Sequence, residues 1–166
     1  NLNGHYIRHM PDDRLLAQFI DFLPFAEGGP EMKARIDDAM MARLLRAMPG
    51  LKERAKTLVE LMKGAQFLFA VRPLPMDEKA QQIIRDGGRE VLASVIPTLE
   101  TVETWQAHDI EAAVKTHAEA QGLKLGKVAQ PLRAALTGTS TSPGIFDVLE
   151  VLGREESLAR LRDQTI

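Results

Sequence analysis

The 166-residue sequence contains no cysteine, one tryptophan and one tyrosine. Without cysteine no disulfide can staple the chain and no thiolate can hold a metal, and the composition fits a reducing compartment. Apolar burial must therefore hold the fold, and 166 residues are enough for a core, in one domain or two small ones. No apolar run approaches the roughly 20 residues that cross a bilayer, and no signal-peptide pattern is present. Strict apolar–polar alternation, the mark of half-buried strands, is nearly missing. Motifs that carry chemistry are missing too: there is no Gly-rich phosphate loop, no nucleophile elbow and no Cys–His pair. Asp37-Asp38 and Glu155-Glu156 are adjacent in sequence, so each pair splits between different sides of a helix and reads as solvated carboxylates. The four histidines, His5, His9, His108 and His117, form no metal motif; His5 and His9 are spaced to share a helix face, but no H-E-x-x-H accompanies them.

What is present is apolar residues at helical spacing along almost the whole chain. Leu15, Leu16, Phe19, Ile20 and Leu23 form one stripe, opened by Pro11-Asp12-Asp13 with its acids set against the helix dipole. Gly28-Gly29-Pro30 ends that unit. Met32, Ile36, Ala39, Met40 and Leu44 form the next, with Pro49-Gly50 as its expected stop, and Met32, Met40, Met48 and Met62 read as core filler. A third apolar helix is expected over Leu58 to Phe69, with Thr57 as cap and Glu60 as its partner three residues on. Val71 to Pro75 holds two prolines and reads as an extended linker. Beyond it, helices are expected over 76–85 and 90–99, then from an Asp109 N-cap to Gly122 as a C′ glycine, then over 127–136 and 143–152, with a short terminal helix after Gly153. Pro131 is placed one turn into its helix, and Pro143 at the first helical position with Ser142 as N-cap. The expected fold class is all-α: nine or ten helices in two small helical bundles joined near residues 71–76 or slightly later.

Net charge is −2, which argues against nucleic-acid binding by the whole surface. The distribution is uneven. From Ala112 to Phe146, Lys115, Lys124, Lys127 and Arg133 stand against Glu119 alone, a local balance of 4 − 1 = +3. Inside that window lies a turn, Thr137 to Gly144, built of hydroxyl residues and glycine. Gly138 and Gly144 allow close approach of a partner to the backbone, and Thr137, Thr139, Ser140, Thr141 and Ser142 offer hydroxyls. The helix that follows offers unpaired N–H groups, Ile145 and Phe146 an apolar shelf, and Arg133 a guanidinium that can bond a base edge or stack on its face. That set suits an unstacked RNA loop. On the residues alone it reads equally well as a helix connection, and the chain as an all-helical protein–protein interaction module.

Longer motifs separate these readings. The run G-K-V-A-Q-P-L-R-A-A-L-T-G, the S-P-G-I-F-D that follows it, and L-G-R-E-E-S-L-A-R-L closely resemble the C-terminal end of bacterial glutamyl-tRNA synthetases. N-L-N-G-H-Y-I-R at the start resembles the segment just downstream of that family's catalytic signature loop, while residues 28–125 are similar mainly in helix layout. The resemblance implies a class I enzyme that joins glutamate to its tRNA with ATP and magnesium, cytoplasmic and monomeric, whose C-terminal helical pair grips the anticodon. Neither H-x-G-H nor K-[ML]-S-[KR] occurs here, so it implies no catalytic residue in this chain, which is expected to be a piece of a longer protein. It implies three parts: 1–10 as the end of the linker and stem-contact region, 11–75 as a first anticodon-binding subdomain and 76–166 as a second.

The same resemblance implies the site residues. Arg133 matches the arginine of the Q-P-L-R motif, the main contact to the middle and first anticodon bases. Ser142, Pro143, Gly144 and Ile145 match the segment lining that base pocket, with serine where threonine or valine is more common. The counterpart of a second arginine, which discriminates the third anticodon base, is expected between Leu51 and Thr57: Arg54 first, Lys56 as alternative. Lys124 and Lys127 are expected on backbone phosphates. The implied partner is tRNA-Glu, with tRNA-Gln left open.

Overall fold

The computed structural model describes residues 2–166, and side chains from residue 4 onward. Asn1, the first residue of the segment expected to end the linker region, lies outside the described residues. The chain splits into two compact units, Asn1–Phe69 and Ala70–Ile166. Both are helical, and no strand occurs among the described residues.

The first unit contains α1 (Leu2–His9), α2 (Asp12–Phe22), α3 (Gly29–Ala34), α4 (Asp38–Glu53) and α5 (Leu58–Phe69). Helix α2 packs on α4 and α5, and α1 on α4. The stripe read from the sequence closes the core: Leu15, Phe19, Leu23, Leu44, Met48 and Leu61 are fully buried. Lys52 fastens α4 to the start of α2, with Nζ 2.6 Å from the Asp12 carboxylate and donating to the Met10 carbonyl at 3.1 Å.

Two expectations in this unit need correction. Residues 32–44 are not one helix: α3 ends at Ala34, and Asp37 starts α4 by accepting a hydrogen bond from the Met40 N–H at 2.8 Å. An aspartate that caps competes with continued helix, because its carboxylate satisfies an N–H that would otherwise need a preceding carbonyl. Pro49-Gly50 is not a stop either, since α4 runs through it to Glu53. Proline leaves only the carbonyl of Leu45 without its donor, on a side of the helix where Leu45 is 41% exposed and water can serve instead. Continuing the helix brings Leu51, 3% exposed, into the core beside Met48. At the next turn the capping pair forms as read, with one shift. Thr57 Oγ1 accepts from the Glu60 N–H at 3.1 Å, while the Glu60 carboxylate reaches back to the N–H of Lys56 at 2.6 Å.

The second unit contains α6 (Glu78–Ile83), a kinked segment Ile84–Gly88, α7 (Arg89–Glu100), α8 (Ala107–Ala120), α9 (Leu125–Thr137), α10 (Ile145–Leu152) and α11 (Arg154–Asp163). Helix α9 is its axis, touching α6, α7, α8, α10 and α11. Val128, Leu132, Ala134, Ala135 and Leu136 on α9 are completely buried, the alanines letting neighbouring helices approach closely. Pro131 sits deeper in its helix than one turn, because α9 begins at Leu125. The carbonyl it leaves without a donor belongs to exposed Lys127. Helix α8 begins at Ala107 behind Gln106, so Asp109 is a first-turn acid and not the N-cap. At its other end Gly122, φ 67°, makes the expected C′ turn: the Leu123 N–H reaches the Ala118 carbonyl at 2.8 Å and the Gly122 N–H reaches Glu119 at 3.1 Å.

Candidate nucleic-acid interface

The Thr137–Gly144 turn leaves the C-terminus of α9 and re-enters at the N-terminus of α10. Gly138 makes the exit possible. Its φ is 74°, and a Cβ there would stand 2.2 Å from the Pro75 carbonyl oxygen. The Gly138 carbonyl in turn accepts from the Asp77 N–H at 2.9 Å, so the 70–77 strap and the turn are locked backbone to backbone.

Most of the hydroxyls in the turn are committed within it. Thr137 Oγ1 donates to the Arg133 carbonyl at 2.8 Å and lies 3.1 Å from Thr139 Oγ1, which donates to the Thr141 carbonyl at 2.6 Å. These bonds rigidify the turn; Ser140 and Thr141 carry the hydroxyls with no protein partner among the described residues. Ser142 is not an N-cap. Its hydroxyl accepts from Arg133 Nε at 2.9 Å and donates to the Pro143 carbonyl at 2.7 Å. Helix α10 starts at Ile145 behind Gly144, so Pro143 lies outside its first turn and no side chain caps that end. The half-buried Arg133 is thus tied through Nε to Ser142, which leads within two residues into the exposed backbone of Gly144 and the uncapped start of α10. Asp147 is the acid here, its Oδ2 3.0 Å from where a Gly144 Cβ would be.

The structure therefore brings Arg133, Ser142, Pro143 and Gly144 together. It does not give an Ile145 shelf: that side chain is 4% exposed and belongs to the core, leaving half-buried Phe146 as the apolar surface. Lys124 and Lys127 are exposed at the far end of α9, roughly 13 Å and 9 Å along the axis from Arg133 at 1.5 Å per residue. In the first unit, Arg54 caps the C-terminus of α4 and is exposed, its guanidinium unpaired among the described residues. Lys56 lies in the connector before α5, its Cγ 3.3 Å from where a Cβ on Gly4 of α1 would stand.

The model of the family described as the anticodon binding domain matches residues 14–165. The chain belongs to that family. This anticodon-binding domain is 60% identical over 163 residues to a protein named glutamate–tRNA ligase 2 from Brucella ovis, and equally to a glutamate–tRNA ligase 1 from Brucella melitensis. Each alignment covers 98% of this chain and 34% of the relative, so the chain spans about a third of the length of the curated relatives it matches. Among solved structures, the glutamate tRNA ligase of Elizabethkingia meningosepticum, in complex with its amino acid, is similar with a TM-score of 0.79 and 25% identity, over 98% of this chain and 30% of that one. The glutamate-tRNA synthetase of Elizabethkingia anophelis is similar at a TM-score of 0.72.

Two arginines of the anticodon-binding domain went unread as structural parts. Arg160, only 2% exposed, bonds the Glu156 carboxylate at 2.8 Å, the Leu136 carbonyl at 2.7 Å and the Ala70 carbonyl at 3.4 Å. It thereby satisfies an orphan carbonyl in the last turn of α9, directly under the turn that carries the site. Arg154 donates to the carbonyls of Glu100, Val102 and Glu103 and lies 5.0 Å from the centre of the Trp105 ring, while Trp105 Nε1 donates to Leu149 at 2.7 Å. The signal for Arg160 was its position inside the apolar spacing Leu158–Leu161, where a solvated charge does not belong.

Proposed function

We propose that this chain reads the anticodon loop of tRNA-Glu on behalf of a glutamyl-tRNA synthetase. The observation that carries the reading is the bond from Arg133 to Ser142, which ties the guanidinium to the segment leading into an uncapped helix start. Unstacked bases present Watson–Crick edges, and a fork of guanidinium donors beside free backbone N–H groups is complementary to them. Ser142, Pro143 and Gly144 line this base pocket, Ile145 contributing backbone only. Arg54 reads the third base, with Lys56 as the alternative, and Lys124 and Lys127 hold phosphates. The whole enzyme attaches glutamate to the tRNA with ATP and magnesium bound in a catalytic domain outside these residues. It works as a cytoplasmic monomer, with tRNA-Gln as the second RNA to be compared.

A labelled tRNA-Glu anticodon stem-loop is expected to bind the chain, and Arg133→Ala to weaken it by about 1–3 kcal/mol. No retardation at low salt, together with a protein recovered by pull-down, would instead make the chain a helical protein–protein module.

A further inference from the structure

A cleft of about 410 Å³ opens in the second unit between α6, the 84–88 kink, α7 and α9. Its apolar lining is buried Pro131, half-buried Ile83 and Val91, and exposed Leu123. Its rim carries Lys79, Gln82, Asp86, Lys127 and Gln130, and none of these side chains has a hydrogen bond or ion pair with another described residue. The kink, where Asp86 and Gly87 leave helical geometry, lines one side of the cleft and packs against α9 through Gly88. The five polar residues are solvent-exposed, and it is the concavity over apolar side chains that distinguishes the place from a solvated helix face.

We propose that this cleft takes one nucleotide of the RNA strand whose neighbouring bases are read at Arg133. The inference rests on the anticodon reading above and extends it to a second place on α9. Three features set the ligand class. The volume lies at the lower end of small-molecule sites, fitting a single nucleotide and not a helix or a folded partner. The two lysines face an anionic backbone with a rim balance of 2 − 1 = +1, and the glutamine amides can both donate to and accept from a base edge. Asp86 disfavours a phosphate beside it but accepts from a ribose 2′-hydroxyl or a base amino group. Lys127, Gln130 and Arg133 step round α9 by about 60° at each three-residue interval, so Arg133 stands roughly 120° round the helix and about 9 Å along its axis from Lys127, and a strand leaving the cleft winds part-way round α9 to reach it.

Lys79 decides the matter, because it lies on exposed α6 surface and its loss leaves packing intact. Binding of the tRNA-Glu anticodon stem-loop to the 166-residue chain is measured from low to high salt for the unaltered chain, Lys79→Ala and Arg133→Ala. Lys79→Ala is expected to weaken binding about fivefold at moderate salt for every loop sequence, and to reduce the salt slope by about 0.7, the loss of one single-strand phosphate contact. A photoreactive residue in place of Gln82 is expected to crosslink to one loop nucleotide. Unchanged affinity and slope for Lys79→Ala, with Arg133→Ala still impaired, would overturn the cleft and leave the anticodon reading standing. No binding by the unaltered chain would remove both.

Discussion

Replacing Arg160 by alanine is expected to destabilise the second unit by about 3–5 kcal/mol, combining a vacated core volume with carbonyls left unpaired. The side chain is fully enclosed, and it is the donor that satisfies the Leu136 carbonyl at the end of α9. Glu156 retains about a third of its side-chain exposure and can return to water, so it adds little to the loss. Arg160→Met keeps most of the volume and removes only the donors, so it should cost about 1–3 kcal/mol. Denaturant unfolding of both variants checks this, and an alanine variant within 1 kcal/mol of the parent would mean that α9 ends stably without the guanidinium.

A comparable loss is expected at Gly138, by a different route. Gly138→Ala places a methyl 2.2 Å from the Pro75 oxygen in a left-handed residue, so either the strap or the turn must move. Breaking the Asp77–Gly138 bond along with it brings the expected cost to about 3 kcal/mol or more. Gly122→Ala is the control: its φ of 67° is equally left-handed, but nothing lies within 4 Å of the added carbon. There only the conformational cost of about 1 kcal/mol remains. Equal losses at the two glycines would show that the close approach to Pro75 contributes nothing.

How far the sequence discloses such features depends on whether the responsible force is local. The helices α2, α5 and α9 were legible because an apolar stripe repeats every third or fourth residue and burial follows it. The Thr57–Glu60 pair was legible because its geometry spans one turn. The passage of α4 through Pro49 was not, since tertiary burial of Met48 and Leu51 outweighs a local stop signal, and the Asp37 cap was masked by apolar spacing that runs across it. At the site, Arg133 and the hydroxyl turn were legible as residue types and the roles of Arg133 and 142–145 came from a resemblance in motif, whereas the bond between Arg133 and Ser142 joins residues in different elements, beyond what spacing discloses. The expectation that Ser142 caps α10 failed for the same reason: its hydroxyl is taken by Arg133 and by the Pro143 carbonyl. Arg160 hid in plain view, as charged residues on helices are usually solvated and only the packing of α11 on α9 reveals otherwise.

If Arg133 reads bases, its loss must do more than remove an attraction for phosphates. The most direct test is a set of tRNA-Glu anticodon stem-loops, each with one anticodon base replaced, titrated against the unaltered chain, Arg133→Ala and Arg133→Lys at fixed salt. Base reading predicts that the unaltered chain loses about 1–3 kcal/mol for a replaced base at the arginine's position, and that both variants bind the replaced and unreplaced loops alike. If Arg133→Ala instead weakens every loop equally and the order of preference among loops survives, Arg133 serves as a phosphate contact and the base-reading site lies elsewhere.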